Sequence, residues 1–304
     1  MSETTTIRDY IAGIAQAVEQ ALQTALPASW DMPGALRESM MYSLNAGGKR
    51  LRPALVLAAA EAVSGDERAA SCAMPIACAI EMVHTYSLVH DDLPAMDDDD
   101  YRRGKPTNHK VYGEAMAILA GDALLTHAFY CIARTAREGA IPADTALRIV
   151  EELARLAGAS GMVGGQAADM LGEQGVTSRE QLDYIHLHKT SDLIAFSLQA
   201  GGLAGGANEA QQAALGRFGR CIGLAFQIQD DILDLVGDER KLGKKTNSDV
   251  AQQKVTYPYL IGLDESRAEV ERLTREAKDA LAASGLGRTD RLLAIADYLM
   301  RRDH

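Results

Sequence analysis

Residues 79–106 read AIEMVHTYSLVHDDLPAMDDDDYRRGKP, and the division of this stretch decides how the rest of the chain is read. Ile80 to Val89 is an apolar run of helical character that ends directly in Asp91 and Asp92. Pro94 interrupts it: with no N–H and a ring that clashes with the preceding turn, it ends or kinks the helix and lets the chain fold back. Six carboxylates lie within the ten residues from Asp91 to Asp100, and Tyr101-Arg102-Arg103-Gly104-Lys105-Pro106 follows at once. Repulsion of that density calls for a compensating cation. An isolated Asp run is usually a solvated loop, but here an apolar helix delivers the first two carboxylates. On an ideal helix Asp91 and Asp97 stand about 120° apart and Asp98 lies nearer the face of Asp91, whereas a fold-back at Pro94 brings Asp97 in instead.

Outward from this stretch the pattern stays helical. Of 304 residues 47% are hydrophobic, 24% charged and only 5% aromatic, which leaves few strand formers and many Ala, Leu, Met, Glu, Gln and Arg. Helices are expected at 3–25, 34–46, 53–63, 68–90, 113–138, 143–171, 178–204, 208–236, 250–263, 265–284 and 288–301, with Gly and Pro between them. No strand-like alternation separates these segments. From Ala143 to Tyr257 there is no proline, and no Ser/Gly/Pro-rich linker occurs, so residues 1–304 are expected to form one all-α domain.

Lys and Arg number 31 against 42 Asp and Glu, a net charge of -11 that disfavours a nonspecific nucleic-acid partner. Cys72, Cys78, Cys131 and Cys221 stand singly, without CxxC or His spacing, and read as free buried thiols. The longest uncharged stretch, 16 residues between Asp192 and Glu209, carries four glycines and is too short for a membrane span. The N-terminus lacks the basic and apolar regions of a signal peptide, so a cytoplasmic protein is expected.

A second acidic group, Gln227-Ile228-Gln229-Asp230-Asp231-Ile232-Leu233-Asp234, lies in an apolar helix, with Asp230 and Asp234 on one face. Carboxylates in such a helix must meet a partner, a metal or water. Two Asp groups without His or Cys specify a hard divalent cation such as Mg²⁺, which bridges carboxylates to substrate phosphates, so a diphosphate substrate is expected. Asn45-Ala46-Gly47-Gly48-Lys49-Arg50-Leu51-Arg52-Pro53 supplies cations, with Lys49 and Arg52 spaced to grip one anion. Arg102, Arg103, Lys189 with Thr190, Lys244 and Lys254 add to them. Two phosphate grips follow: one through metal held by Asp, the other directly through Lys and Arg.

Taken together, Gly47 to Pro53, the Asp-Asp-x4-Asp of 91–97 with Arg102-Arg103-Gly104, Lys189-Thr190 and Asp230-Asp231-x2-Asp234 resemble the trans-prenyltransferases, the polyprenyl diphosphate synthases. The match runs in order over nearly the whole chain and is strongest to the bacterial farnesyl diphosphate synthases. The resemblance implies the isoprenoid synthase fold, a helical bundle around a central apolar cavity, working as a homodimer. It implies Asp91, Asp97 and Asp230 as ligands of up to three Mg²⁺ ions, with Mn²⁺ as a substitute, supported by Asp92, Asp231 and Asp234. Arg102, Lys189, Thr190, Gln227 and Lys244, with Lys254 nearby, would hold an allylic diphosphate (dimethylallyl or geranyl). Lys49, Arg52, His84 and Arg103 would hold isopentenyl diphosphate.

The chemistry implied is ionisation of the allylic C–O bond, attack by the isopentenyl double bond and loss of a proton to the departing diphosphate. Tyr86, about 7.5 Å up the helix from Asp91, stands where a growing chain would arrive, and its ring is expected to stop elongation at farnesyl. Ser87 beside it is small, and the length assignment rests on Tyr86 and the x4 spacing. The alternative in the same class is a geranylgeranyl diphosphate synthase. A class I terpene cyclase has no need of the Lys49, Arg52 and Arg103 grip. An acidic, divalent-cation-binding helical adaptor explains the Asp run but neither Asp230 to Asp234 nor the basic set, and no EF-hand spacing is present.

Overall fold

The computed structural model describes residues 6–66, 68–172, 178–236 and 255–300. These group into two compact units, 6–57 with 68–150 and 58–66 with 151–300.

In the first unit, α1 (Ile7–Ala25) starts from a capping box in which Thr6 and Asp9 satisfy each other's backbone N–H groups. α2 (Gly34–Leu44) follows Pro33, α3 (Leu51–Ser64) begins after the glycine-rich turn, and α4 (Arg68–Asp91) is apolar nearly all round. A five-residue α5 (Asn108–Tyr112) ends at Gly113, whose φ of 82° lets α6 (Glu114–Arg137) start in a new direction. α4 and α6 are each long and apolar enough to cross a bilayer, but they are laid against each other as core helices. Between α4 and α5 stands an element absent from the sequence expectation: a hairpin of β1 (Tyr101–Arg102) and β2 (Lys105–Pro106). Its turn residues Arg103 and Gly104 have φ of 53° and 75°, the left-handed pair that tight hairpins need. Two-residue strands carry no alternation to read.

The second unit takes the rest of α3 and of α7 (Ala143–Ala157), then α8 (Met162–Gly172), α9 (Arg179–His186), a π-helical turn at Leu187–Ser191 and α10 (Asp192–Ala204). α11 (Glu209–Val236), α12 (Tyr257–Ile261), α13 (Leu263–Ala282) and α14 (Asp290–Met300) complete it. The helix expected over 143–171 is in fact two, broken at Gly158-Ala159-Ser160-Gly161, where each glycine costs a helix about 1 kcal/mol relative to Ala. α11 packs on α10 and α13, and Phe196, Phe218 and Tyr257 are fully buried among them. A Cβ at Gly219 would lie 2.5 Å from Ala195 Cα, so the missing side chain sets how closely α10 and α11 approach.

Candidate active site

The first Asp group takes its shape from the end of α4. Leu93 packs with Val89 and Ala117, and Met96 lies against them, pinning the chain just past the helix. Met96 and Asp98 donate backbone N–H groups to Leu93 O at 2.9 and 3.2 Å, and Asp97 N–H donates to Asp91 O at 2.8 Å. The fold-back after Pro94 therefore carries Asp97 to the end of α4, while Asp98 takes a left-handed φ of 50° and is exposed. Asp92 is buried and accepts from Arg102 Nε at 2.7 Å and Nη2 at 2.5 Å. Burial pushes the Asp92 carboxyl above the usual carboxylate range, against the pull of Arg102. Arg102 also reaches Asp99 at 3.4 Å, Lys110 holds Asp100 at 2.6 Å, and Thr107 Oγ1 donates to Asp99 O at 2.7 Å. The acidic run is thus a braced loop.

The basic residues expected to grip a diphosphate directly lie in the same unit. Gly47 and Gly48 have φ of 84° and 135°, and the Arg103 guanidinium donates to Gly47 O. A Cβ at Gly48 would come within 2.5 Å of Arg103 Nη1, so only glycine admits this approach. Lys49 is exposed, Arg52 and His84 are half-buried, and Arg103 crosses to them from the hairpin turn. The His84 imidazole is pushed well below 6.5 by burial and by Arg52 and Arg103, so at neutral pH it offers an uncharged N–H. Burial lowers Arg52 and Arg103 too; each also feels the Glu81 carboxylate, which favours its charged form.

In the second unit Lys189 and Thr190 sit on the π-helical turn, which Ser191 Oγ stabilises by donating to His186 O at 3.1 Å. Such turns often mark functional positions. Two glycines let neighbouring helices close on it: a Cβ at Gly165 would lie 2.2 Å from Lys189 N, and one at Gly223 2.7 Å from Ser191 Cα. Lys189 Nζ is 2.6 Å from Asp169 Oδ2 on α8. Gln227, Asp230, Asp231 and Asp234 all lie on α11, with Gln227 and Asp230 half-buried and Asp234 buried. Asp231 faces a different network: it accepts from Tyr257 N–H at 2.9 Å and stands 3.3 Å from His186 Nε2. His186 stacks on Tyr257, whose hydroxyl donates to Asp183. Lys244 and Lys254 lie outside the described residues.

Tyr86 is buried in α4, edge-on to His90 with ring centroids 5.7 Å apart, and burial followed by the Asp91 charge pushes its hydroxyl up to about 12. Its hydroxyl is uncharged at any working pH. Ser87 donates to His84 O at 2.9 Å. Among the described residues no three His, Cys, Asp or Glu side chains converge. The donors at each Asp group are carboxylate oxygens, a set that suits Mg²⁺, which is usually held by one or two carboxylates together with substrate phosphates. Sequence reasoning missed Asp169, Glu81 and the His186–Tyr257 pair. For Asp169 a signal existed in Gly164-Gly165, unusual inside a helix.

The sequence profile described as Polyprenyl synthetase matches residues 33–284. The chain belongs to the polyprenyl synthetase family. Within this polyprenyl synthetase the profile covers the glycine-rich turn, both Asp groups and Lys189-Thr190. It is 49% identical over 297 residues to a chloroplastic geranylgeranyl pyrophosphate synthase of Catharanthus roseus, covering 97% of this chain and 81% of the relative. It is 48% identical over 293 residues to the farnesyl diphosphate synthase of Geobacillus stearothermophilus, covering 95% of each. A crystal structure of a geranyltransferase from Helicobacter pylori, complexed with magnesium and isoprenyl diphosphate, superposes with a TM-score of 0.84 at 32% identity, covering 99% of this chain and 100% of that one. The fold is the all-α isoprenoid synthase fold.

Proposed function

We propose that this polyprenyl synthetase is a short-chain trans-prenyltransferase that joins isopentenyl diphosphate head-to-tail (1'-4) to dimethylallyl or geranyl diphosphate, giving farnesyl diphosphate and pyrophosphate. One observation carries the reading: a single unit holds both a folded-back carboxylate loop at Asp91–Asp97 and a separate cluster of Arg52, His84 and Arg103, with Lys49 three residues before Arg52 in sequence. A carboxylate loop suits a diphosphate bound with metal and a cation cluster suits one bound without it, so the chemistry needs two diphosphates. A cyclase needs one. Identity of 48% to a farnesyl diphosphate synthase supports the same reading.

Asp91, Asp97 and Asp230 would hold Mg²⁺, up to three ions with Mn²⁺ as a substitute, and Asp92, Asp231 and Asp234 would support them. When bound, the cation neutralises charge developing on the leaving diphosphate. Arg102, Lys189, Thr190, Gln227 and Lys244, with Lys254 nearby, hold the allylic diphosphate and favour departure of the pyrophosphate, because cations placed where charge develops stabilise the transition state. Lys49, Arg52, Arg103 and the neutral His84 hold isopentenyl diphosphate so that its double bond faces the allylic carbon. Apolar helix faces keep water from the carbocation. The proton is lost to the departing pyrophosphate.

Tyr86 closes the path of the growing chain and sets the product at farnesyl. The second reading, a geranylgeranyl diphosphate synthase, is favoured by the small Ser87 and by 49% identity to such an enzyme. The proposal includes one catalytic domain over residues 1–304, a homodimer and a cytoplasmic setting. Purified protein incubated with Mg²⁺, isopentenyl diphosphate and either allylic primer tests it: a C15 product is expected, C20 would establish the second reading, and no condensation would overturn both.

A further inference from the structure

Arg50 and Glu81 belong to neither proposed diphosphate site, yet they form a deeply buried ion pair beside Arg52 and Arg103. Arg50 is 3% exposed and Glu81 2%, and Arg50 Nη1 lies 2.5 Å from Glu81 Oε1. The same guanidinium donates from Nη2 to Leu44 O at 2.5 Å and stands 3.6 Å from Glu19. One arginine therefore ties the end of α2, α1 and α4 to the turn that carries Lys49. Its backbone has φ of 47°, a left-handed conformation that a non-glycine residue adopts only when its surroundings impose it. Glu81 lies one turn before His84 on α4, and its Oε2 is buried without a hydrogen-bond partner, as are Arg50 Nε and Arg52 Nε. A buried carboxylate oxygen left this way is costly unless nearby cations compensate it. Arg52 and Arg103 do so through space.

We propose that Arg50 and Glu81 are positioning residues for isopentenyl diphosphate: the pair locks the 47–50 turn in its left-handed form, and the Glu81 charge holds Arg52 and Arg103 together until the diphosphate arrives. The inference rests on the assignment of Lys49, Arg52, His84 and Arg103 to that substrate. Neither residue of the pair touches the reacting atoms, so its loss should appear in the KM for isopentenyl diphosphate and leave the KM for the allylic substrate in place.

Steady-state kinetics with each substrate varied in turn, together with melting temperatures, test this on three variants. Arg50→Lys keeps the charge and loses the second donor, so the protein should fold while the KM for isopentenyl diphosphate rises about 10- to 100-fold, the scale of a small misplacement. The double variant Arg50→Met/Glu81→Leu removes both buried charges and should recover wild-type thermal stability, because apolar replacement of a whole buried pair is often neutral. Its KM for isopentenyl diphosphate should nevertheless stay raised. A double variant whose KM returns to the wild-type value, or variants in which both KM values rise together, would make the pair merely structural and overturn the proposal. Lys49→Ala separates the two levels. If it raises the KM for isopentenyl diphosphate while Arg50→Lys and the double variant do not, this inference fails alone; if Lys49→Ala leaves that KM unchanged, the substrate assignment fails and the inference with it.

Discussion

The backbone N–H of Asp97 donates to the carbonyl oxygen of Asp91 at 2.8 Å. That bond closes a loop over the C-terminus of α4, and Leu93, buried against Val89 and Ala117, anchors it from below. The closure runs through a backbone hydrogen bond and apolar contacts, neither of which an Asp-to-Asn exchange removes.

Asp91→Asn should therefore leave the fold intact and cripple the chemistry. Asparagine keeps the size of the side chain but removes the anionic oxygen, and loss of one group acting mainly on developing charge lowers turnover by about 100- to 1,000-fold. Steady-state turnover measured beside a melting curve checks it. Near wild-type turnover would overturn the proposal that Asp91 is a metal ligand.

Tyr86→Ala should lengthen the product towards C20. Tyr86 is 6% exposed and rests edge-on against His90, so its removal opens space inside α4's own packing face. The cavity should also cost about 3–5 kcal/mol of stability, which argues for assaying at low temperature. Chromatography of the dephosphorylated products gives the carbon number, and an unchanged C15 profile would mean that another residue forms the floor.

What the sequence made legible was chemistry that acts locally. Pro94 ends its helix through its own ring, and the apolar run before Asp91 is a helix because its neighbours in sequence are right for one. The break at Gly158–Gly161 was hidden because no proline marks it, and the hairpin at Tyr101–Pro106 because two-residue strands carry no period. Roles that depend on distant partners were invisible in principle: Asp169 meets Lys189 20 positions away, Arg50 meets Glu81 31 away, and Asp231 accepts from Tyr257 26 away. The residue types at the candidate site could be named from spacing, but which carboxylates are committed to arginine, histidine or backbone is decided by partners that only the fold brings near.

A nonreactive diphosphate analogue with Mg²⁺ should raise the melting temperature. Ligand that binds only the folded state at a hundredfold excess over its Kd adds about 2.7 kcal/mol, which for a chain of this size is several degrees. Analogue alone and Mg²⁺ alone should each shift it much less, since each would lack its partner. Equal shifts with and without the cation would contradict a carboxylate site that works through metal.

Acidification should destabilise the protein through His84. Its folded pKa lies well below the ordinary 6.5 because burial and the surrounding arginines oppose a further positive charge. The unfolded chain therefore takes up a proton at a pH where the folded chain does not, and stability falls as pH drops through about 6.5, with no contribution from this group above it. Between pH 6.5 and 5.5 the loss from this one residue is at most about 1.4 kcal/mol. His84→Gln, which keeps a neutral hydrogen-bonding side chain, should flatten that slope in urea-unfolding curves recorded at pH 7.5, 6.5 and 5.5. A slope identical to that of the unmutated protein would place the acid sensitivity elsewhere and would mean that His84 carries its proton among the arginines, a charge their field should not permit.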